Sequence, residues 1–204
     1  FGVVTRVAIE NLVKLNAAAG KPAKTVVLVH EDGLFGSGLA KLMQTRLPEH
    51  GFEVLETIAH PTPARDMSNV ALQIRAKNPD LVIPSSYYNE FVLLARTMQQ
   101  QRIRPKGIYA VLNGAASNFR FVKEFPDAAA NVMDCNHWYD PRKATEALTA
   151  SSFSGHIMPY GATKFENGQN TGAAPVNTQV QGADIKVIFP EAFADAMPVF
   201  PVRA

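Results

Sequence analysis

The stretch from Thr25 to Met43 constrains the fold more than any other part of the chain. It opens with an unbroken aliphatic run, Val26 to Val29, which is typical of a strand buried on both faces. A polar turn with three glycines follows, and Leu39, Leu42 and Met43 then recur at helical spacing. Together they form the start of a βαβ unit, in which the turn after the strand is where ligands bind.

The same alternation of strand and helix continues along the chain. Short apolar runs that end in polar, glycine or proline residues predict further strands at 52–58, 81–83 and 107–111, and a fifth strand that begins at Val132. Apolar residues at helical spacing predict the helices, one of which precedes the first strand. The pattern predicts an α/β fold with a three-layer, doubly wound parallel sheet and right-handed crossovers.

The C-terminal part of the sequence follows a different pattern. Asn167-Gly168 predicts a hairpin turn, and the runs 176–180 and 185–189 flank a second turn, so we expect a β-hairpin extension. One place does not fit the alternation. The strand after Val132 should lead into a full crossover helix, but Lys143 to Ala150 supplies only a short one.

Composition excludes several classes of function. The net charge of the 204 residues is +2 and no long basic block occurs, so neither nucleic acid nor an anionic membrane is an expected partner. A single cysteine, Cys135, excludes an internal disulfide and is interpreted as a small buried hydrophobe. The histidines lack metal-ligand spacing, and we expect neither a metal nor a cofactor.

The glycine-rich turn, Gly33 to Gly38, does not predict a dinucleotide site. Its order is GxxGxG rather than GxGxxG. We expect a tight turn and a helix start whose free backbone N–H groups can bind a carboxylate. Glu31 and Asp32 are adjacent and point to opposite faces of a strand, so they form a poor carboxylate pair and are expected to be solvated or to brace the loop.

Polar and aromatic side chains follow the predicted strand 81–83. Ser85, Ser86, Tyr87 and Tyr88 offer hydroxyl groups and rings at the carboxyl end of that strand. No GxSxG motif is present, so a nucleophilic serine is disfavoured. We predict that Ser85 and Tyr87 contact a ligand, and the alternative is that a serine caps the next helix.

Two further strand ends carry candidate ligand-binding residues. Asn113 and Gly114 follow the strand 107–111, and His137 and Trp138 follow the strand that begins at Val132. The carboxyl ends of parallel strands meet at one edge of the sheet, so all four are predicted to contact ligand. The alternative for Asn113 is that it braces its own loop, and for His137 that it is a structural hydrogen-bonding group.

Three segments together resemble a known family. They are VVLVHEDGLFGSGLAKLM, NPDLVIPSSYYNEFVLLARTMQQQRI and the late segment GHIMPYGATKFENGQNTGAAPVNTQVQGADIKVIFP. The chain resembles the branched-chain-amino-acid-type substrate-binding proteins of ABC transporters, which are the type I periplasmic binding proteins. The resemblance covers essentially the whole chain, and the late segment is its most specific part.

The resemblance implies one lobe of a two-lobed protein. Members of this family have two α/β lobes hinged over a cleft, and this sequence is similar to the second lobe only. We expect two segments, 1–142 and 143–204, joined by omission of a first-lobe segment, which explains the misfit near Lys143. The implied partners are a small-molecule ligand, the membrane permease and the missing first lobe, and the implied location is periplasmic or lipid-anchored outside the cytoplasm.

The resemblance also suggests roles for individual residues. Phe35 and Tyr87 take the places of aromatic residues that line the cleft, whereas Asn113 stands where amino-acid binders have an acid that pairs with the ligand's ammonium. We therefore expect an amino acid or, because that acid is missing, an aromatic or other organic acid without an α-amino group. Two alternatives remain: a ligand-sensing domain of a receptor or regulator with the same fold, and a Rossmann-like enzyme. The enzyme lacks support, since the sequence contains no nucleophile elbow, metal cluster or cofactor loop.

Overall fold

The computed structural model of the protein describes residues 2–136, 165–166, 169–170 and 175–200. Within these ranges the helices are α1 Gly2–Ala18, α2 Leu34–Arg46, α3 Ser68–Lys77, α4 Tyr88–Gln100, α5 Phe119–Glu124 and α6 Pro126–Ala129. The strands are β1 Thr25–Glu31, β2 Glu53–His60, β3 Leu81–Ser85, β4 Gly107–Val111, β5 Met133–Asn136, β6 Phe165–Glu166, β7 Gln169–Asn170, β8 Val176–Gln181 and β9 Asp184–Phe189.

Seven of the strands form one sheet in the order β2-β1-β3-β4-β5-β8-β9. The first five are parallel, which confirms the predicted α/β class. The predicted second hairpin, β8 and β9, pairs antiparallel and continues the main sheet beside β5, so it is an edge of the sheet rather than a separate extension. β6 and β7 pair antiparallel, whereas the turn predicted at Asn167-Gly168 between them lies outside the described residues.

Helices cover both faces of this sheet, which gives the predicted three layers. One hydrophobic core joins the sheet to α3, α4, α5 and α6, and the other joins it to α1 and α2. Each residue from Val26 to Val29 is at most 1% exposed, because alternate side chains of β1 enter the two cores. The aliphatic run therefore places β1 inside the sheet, and its carboxyl end lies between those of β2 and β3.

A buried chain of hydrogen bonds fastens α1 to the sheet. Asn11 donates its side-chain amide to Asn177 on β8 at 2.7 Å, and Asn177 donates to the Tyr109 hydroxyl on β4 at 2.8 Å. The Tyr109 hydroxyl in turn donates to the Ala8 carbonyl at 2.9 Å. Because buried polar groups are costly when unpaired, these bonds fix the position of α1 relative to the antiparallel edge.

Some elements differ from the sequence prediction or lie beyond what the structure describes. The helices α5 and α6, between β4 and β5, were not predicted, because six and four residues are too short to show a helical period. The short helix predicted from Lys143 to Ala150 lies outside the described residues. No helix in the described ranges is long and apolar enough to cross a membrane.

Candidate functional site

The candidate site is the edge of the sheet where the five parallel strands end. Phe35 lies in the first turn of α2 after β1, Ser85 ends β3, and Tyr87 is the N-cap of α4. Asn113 and Gly114 follow β4 on the same edge. The structure thus brings five of the seven predicted site residues to one edge, and the other two, His137 and Trp138, lie outside the described residues.

Aromatic and aliphatic side chains are presented outward at this edge. The rings of Phe35 and Tyr87 stack with their centroids 5.7 Å apart and their planes 17° apart. Tyr87 is 49% exposed, Leu34 in the first turn of α2 is 92% exposed, and Phe119 at the start of α5 is 58% exposed. Such apolar groups gathered at the ligand-binding end of a parallel sheet are typical of a surface that another molecule or domain covers.

The carboxylate of Glu31 lies at the N-terminus of α2, where a ligand carboxylate was predicted to bind. This buried carboxylate accepts hydrogen bonds from the backbone N–H groups of Gly33 and Gly36, each at 2.5 Å. The expectation that these N–H groups are free for a ligand carboxylate is therefore wrong, because the chain's own carboxylate binds them. Glu31 acts as a loop brace, which was one of the two alternatives open for it, and its negative charge suits the positive end of the helix.

A histidine and a serine meet across the end of β1. His60 Nδ1 lies 2.9 Å from the Pro61 carbonyl oxygen, and His60 Nε2 lies 2.7 Å from Ser86 Oγ. In the neutral imidazole, Nδ1 donates to the carbonyl and Nε2 accepts from the hydroxyl. Ser86 is 0% exposed, so this pair joins β2 to β3 beneath the surface and presents no nucleophile to solvent.

The serines do not cap α4. The N-cap residue Tyr87 makes no side-chain hydrogen bond to the helix, and Ser86 is committed to His60. Ser85 is 2% exposed at the end of β3, opposite His30 of β1. Ser85 therefore lies just below the edge, and Tyr87 is the residue of this segment that faces outward.

In the loop after β4, Asn113 braces its own loop, which was one of the two alternatives open for it, and it also keeps an unpaired amide group. Its side-chain oxygen accepts a hydrogen bond from the Ala115 backbone N–H at 2.9 Å, which braces the loop. Its side-chain nitrogen is buried and has no hydrogen-bond partner within the described part of the chain. Gly114 has φ +69°, a conformation that favours glycine, and is partly exposed.

A buried acid that the sequence analysis did not single out lies next to this loop. Asp134 on β5 is 0% exposed, and neither carboxyl oxygen has a hydrogen-bond partner among the described residues. Burial raises the pKa of Asp134 to about 7, while the nearby Gly114 N–H acts in the opposite direction. An acid within an otherwise buried strand was the signal available in the sequence.

Burial keeps two weaker acids on β4 and β5 neutral. Burial raises the pKa of the Tyr109 hydroxyl well above its usual value and that of the Cys135 thiol to about 12. Cys135 is fully buried and free, as the sequence predicted for a small hydrophobe. In the described ranges, no group of three His, Cys, Asp or Glu side chains is placed to hold a metal ion.

Comparison with known proteins identifies the family. A family model described as periplasmic binding protein matches residues 2–187. The chain belongs to the periplasmic binding protein family. A relative in Brucella suis biovar 1, named Leu/Ile/Val-binding protein homolog 7, is 26% identical over 103 residues, which are 50% of this chain and 26% of that relative. The stretch that matches thus spans about a quarter of the relative's length.

Solved structures share the fold. The crystal structure of a putative branched-chain amino acid ABC transporter protein from Silicibacter pomeroyi superposes with a TM-score of 0.76 at 13% identity, over 97% of this chain and 67% of that one. A leucine-binding protein from Thermotoga maritima superposes with a TM-score of 0.72 at 14% identity, over 90% of this chain and 64% of that one. The family and these neighbours consist of solute-binding proteins rather than enzymes.

Proposed function

We propose that this chain is the second lobe of an extracytoplasmic solute-binding protein of an ABC importer, which binds a small organic solute in the cleft between two lobes. One observation carries the proposal: five parallel strands end at a single edge that presents the Phe35–Tyr87 stack beside buried polar groups. Membership of the periplasmic binding protein family supports the same reading. The edge is one wall of a cleft, and the opposite wall belongs to the other lobe.

The lobe is proposed to consist of segments 1–142 and 143–204, between which a first-lobe segment is omitted. Ligand binds to one lobe, the hinge closes, and the closed form is recognised by the permease. Closure is selected because ligand contacts both lobes only in that form. The exposed apolar side chains at the edge support this, since closure would cover them.

The ligand is proposed to be an amino acid or, more specifically, an aromatic or other organic acid without an α-amino group. The stacked rings of Phe35 and Tyr87 offer an apolar, aromatic contact surface. Asn113 is neutral, and the exposed part of the loop after β4 provides no carboxylate that could pair with an ammonium. A charged ammonium left unpaired in a closed cleft would cost several kcal/mol.

Titration calorimetry on the two-lobed protein tests this function. We expect binding of an aromatic carboxylate such as benzoate, and binding that is weaker or absent for leucine. Tight leucine binding without any binding of aromatic carboxylates would contradict the proposed ligand class. No binding of any amino acid or organic acid would contradict the proposed function itself.

Two variants locate the binding surface. Truncation of Phe35 or Tyr87 to alanine should weaken benzoate binding about tenfold, because an aromatic pair contributes roughly 0.5–1.5 kcal/mol beyond its buried area. Leu72→Ala is the matched control, since Leu72 is an exposed apolar residue (48%) on α3, away from the strand ends. Equal effects of all three substitutions would show that this edge does not bind the ligand.

A further inference from the structure

Two buried polar groups near the ends of β4 and β5 have no hydrogen-bond partner within the described residues. One is the side-chain nitrogen of Asn113, a residue that is 8% exposed, and the other is the carboxyl group of Asp134, which is 0% exposed. Native proteins pair nearly all such groups, so each unpaired one requires an explanation. Two of them beside one loop of the candidate site point to a missing partner molecule.

Gly114 connects the two groups. It follows Asn113 directly, and its backbone N–H acts on the Asp134 carboxyl without forming a hydrogen bond of normal geometry. Gly114 is partly exposed and has no side chain, and the nearest atom to a Cβ built there is the Asn136 amide nitrogen at 3.6 Å. The Asp134 carboxyl therefore lies next to Gly114, a partly exposed residue without a side chain.

The surroundings favour the protonated form of the Asp134 carboxyl at pH values below about 7. Asp134 points to the face that carries α5 and α6, because its neighbours Met133 and Cys135 belong to the opposite core. Asp134 interacts electrostatically with Tyr109 and Cys135, two acids whose pKa values burial raises, so neither supplies a positive charge. The charged side chains of α5 and α6 are exposed: Arg120, Lys123, Glu124 and Asp127.

We propose that the protonated Asp134 carboxyl and the Asn113 amide form a two-donor subsite for an acceptor oxygen of the ligand, such as a carboxylate or carbonyl oxygen. The inference rests on the proposed binding function and specifies which ligand chemistry this wall recognises. A neutral carboxyl donates O–H, the amide donates N–H, and both lack an acceptor. An ammonium group would face the amide donor and would require Asp134 to ionise in a buried position.

Ligand binding at this subsite is coupled to the protonation of Asp134. Burial raises the pKa of Asp134 to about 7, so above that pH the free protein loses the proton that the subsite needs. Ligand binding then takes up a proton, and affinity falls as pH rises, by about tenfold per unit well above pH 7. The ligand oxygen reaches Asp134 past Gly114, and the loop shifts to admit it.

Calorimetry of benzoate binding to the two-lobed protein, from pH 5.5 to 8.5 and in two buffers with different heats of ionisation, tests the proposal. We expect uptake approaching one proton per benzoate above pH 7, and an affinity that declines over the same range. Asp134→Asn keeps a donor at this position but cannot titrate, so its benzoate affinity should not depend on pH. Asp184 on β9 carries a carboxyl group that faces solvent, so it serves as the control. Asp184→Asn should show the same proton uptake and the same pH dependence of benzoate affinity as the unsubstituted protein.

The outcomes separate this inference from the proposed function. Benzoate binding with no proton uptake, or with an affinity that rises with pH, would overturn the two-donor subsite while leaving the binding function intact. Absence of carboxylate binding at every pH would overturn both. If Asp134→Asn does not fold, nuclear magnetic resonance of the Asp134 carboxyl in the unsubstituted protein decides: its pKa should rise when benzoate binds, and an unchanged pKa would refute the proposal.

Discussion

Replacing Asp134 with asparagine should stabilise the protein, and the gain should depend on pH. The pKa of Asp134 is about 7 in the folded protein and 3.8 as an ordinary carboxyl. The folded state therefore binds the proton of Asp134 more tightly than the unfolded state does. The loss of stability caused by ionising this carboxyl is absent below pH 3.8, grows between pH 3.8 and 7, and is constant above pH 7. A shift of roughly 3 units corresponds to about 4 kcal/mol at pH 8 and about 2 kcal/mol at pH 5.

Asparagine has nearly the same shape, and the carboxyl oxygens that it replaces make no hydrogen bond among the described residues. Asp134→Asn should thus raise the free energy of unfolding more at pH 8 than at pH 5, by about 2 kcal/mol. Urea unfolding of both proteins at the two pH values measures this difference. A substitution that destabilises equally at both pH values would show that the carboxyl is paired or hydrated, and would refute the reasoning.

Two other substitutions test how the candidate site and its supporting core are held in place. Gly36→Ala puts a methyl group 2.5 Å from the Glu31 carbonyl oxygen and should lower the free energy of unfolding by about 1–3 kcal/mol. Gly2→Ala is the control, because nothing lies within 4 Å of the added methyl group, and it should be neutral or stabilising. Equal effects of the two substitutions in urea unfolding would contradict the close approach at Gly36. Tyr109→Phe removes a hydroxyl and leaves the Asn177 amide without its acceptor, which should cost about 1–3 kcal/mol; an unchanged melting temperature would show that the buried bonds do not stabilise α1.

The overall architecture could be predicted because a strand that is buried on both faces is apolar at consecutive positions of the sequence. The run Val26 to Val29 is apolar throughout since both sides of β1 are covered, and the helices α3 and α4 show the apolar spacing of elements that pack on one face. The antiparallel pairing of β8 with β9 was signalled by its turn. The hairpin joins the main sheet through the pairing of β8 with β5. These strands are far apart in the sequence, so no local sequence pattern could predict that they pair.

The candidate site was predicted less completely. Alternation of strands and helices places Phe35, Tyr87 and Asn113 at one edge, because parallel strands end together. The binding of Glu31 to the α2 N–H groups could not be predicted, since it depends on a loop that folds back on its own strand. The significance of Asp134 depends on what surrounds it: a lone acid in a strand is informative only once burial without a partner is known.

A crystal structure of the two-lobed protein with its ligand bound shows directly whether these strand ends form one wall of a binding cleft. We expect a ligand enclosed between two lobes, in contact with the Phe35–Tyr87 stack and with the loop that follows β4. A ligand bound elsewhere on this lobe, or strand ends buried against some other part of the protein with no cleft between, would contradict this expectation.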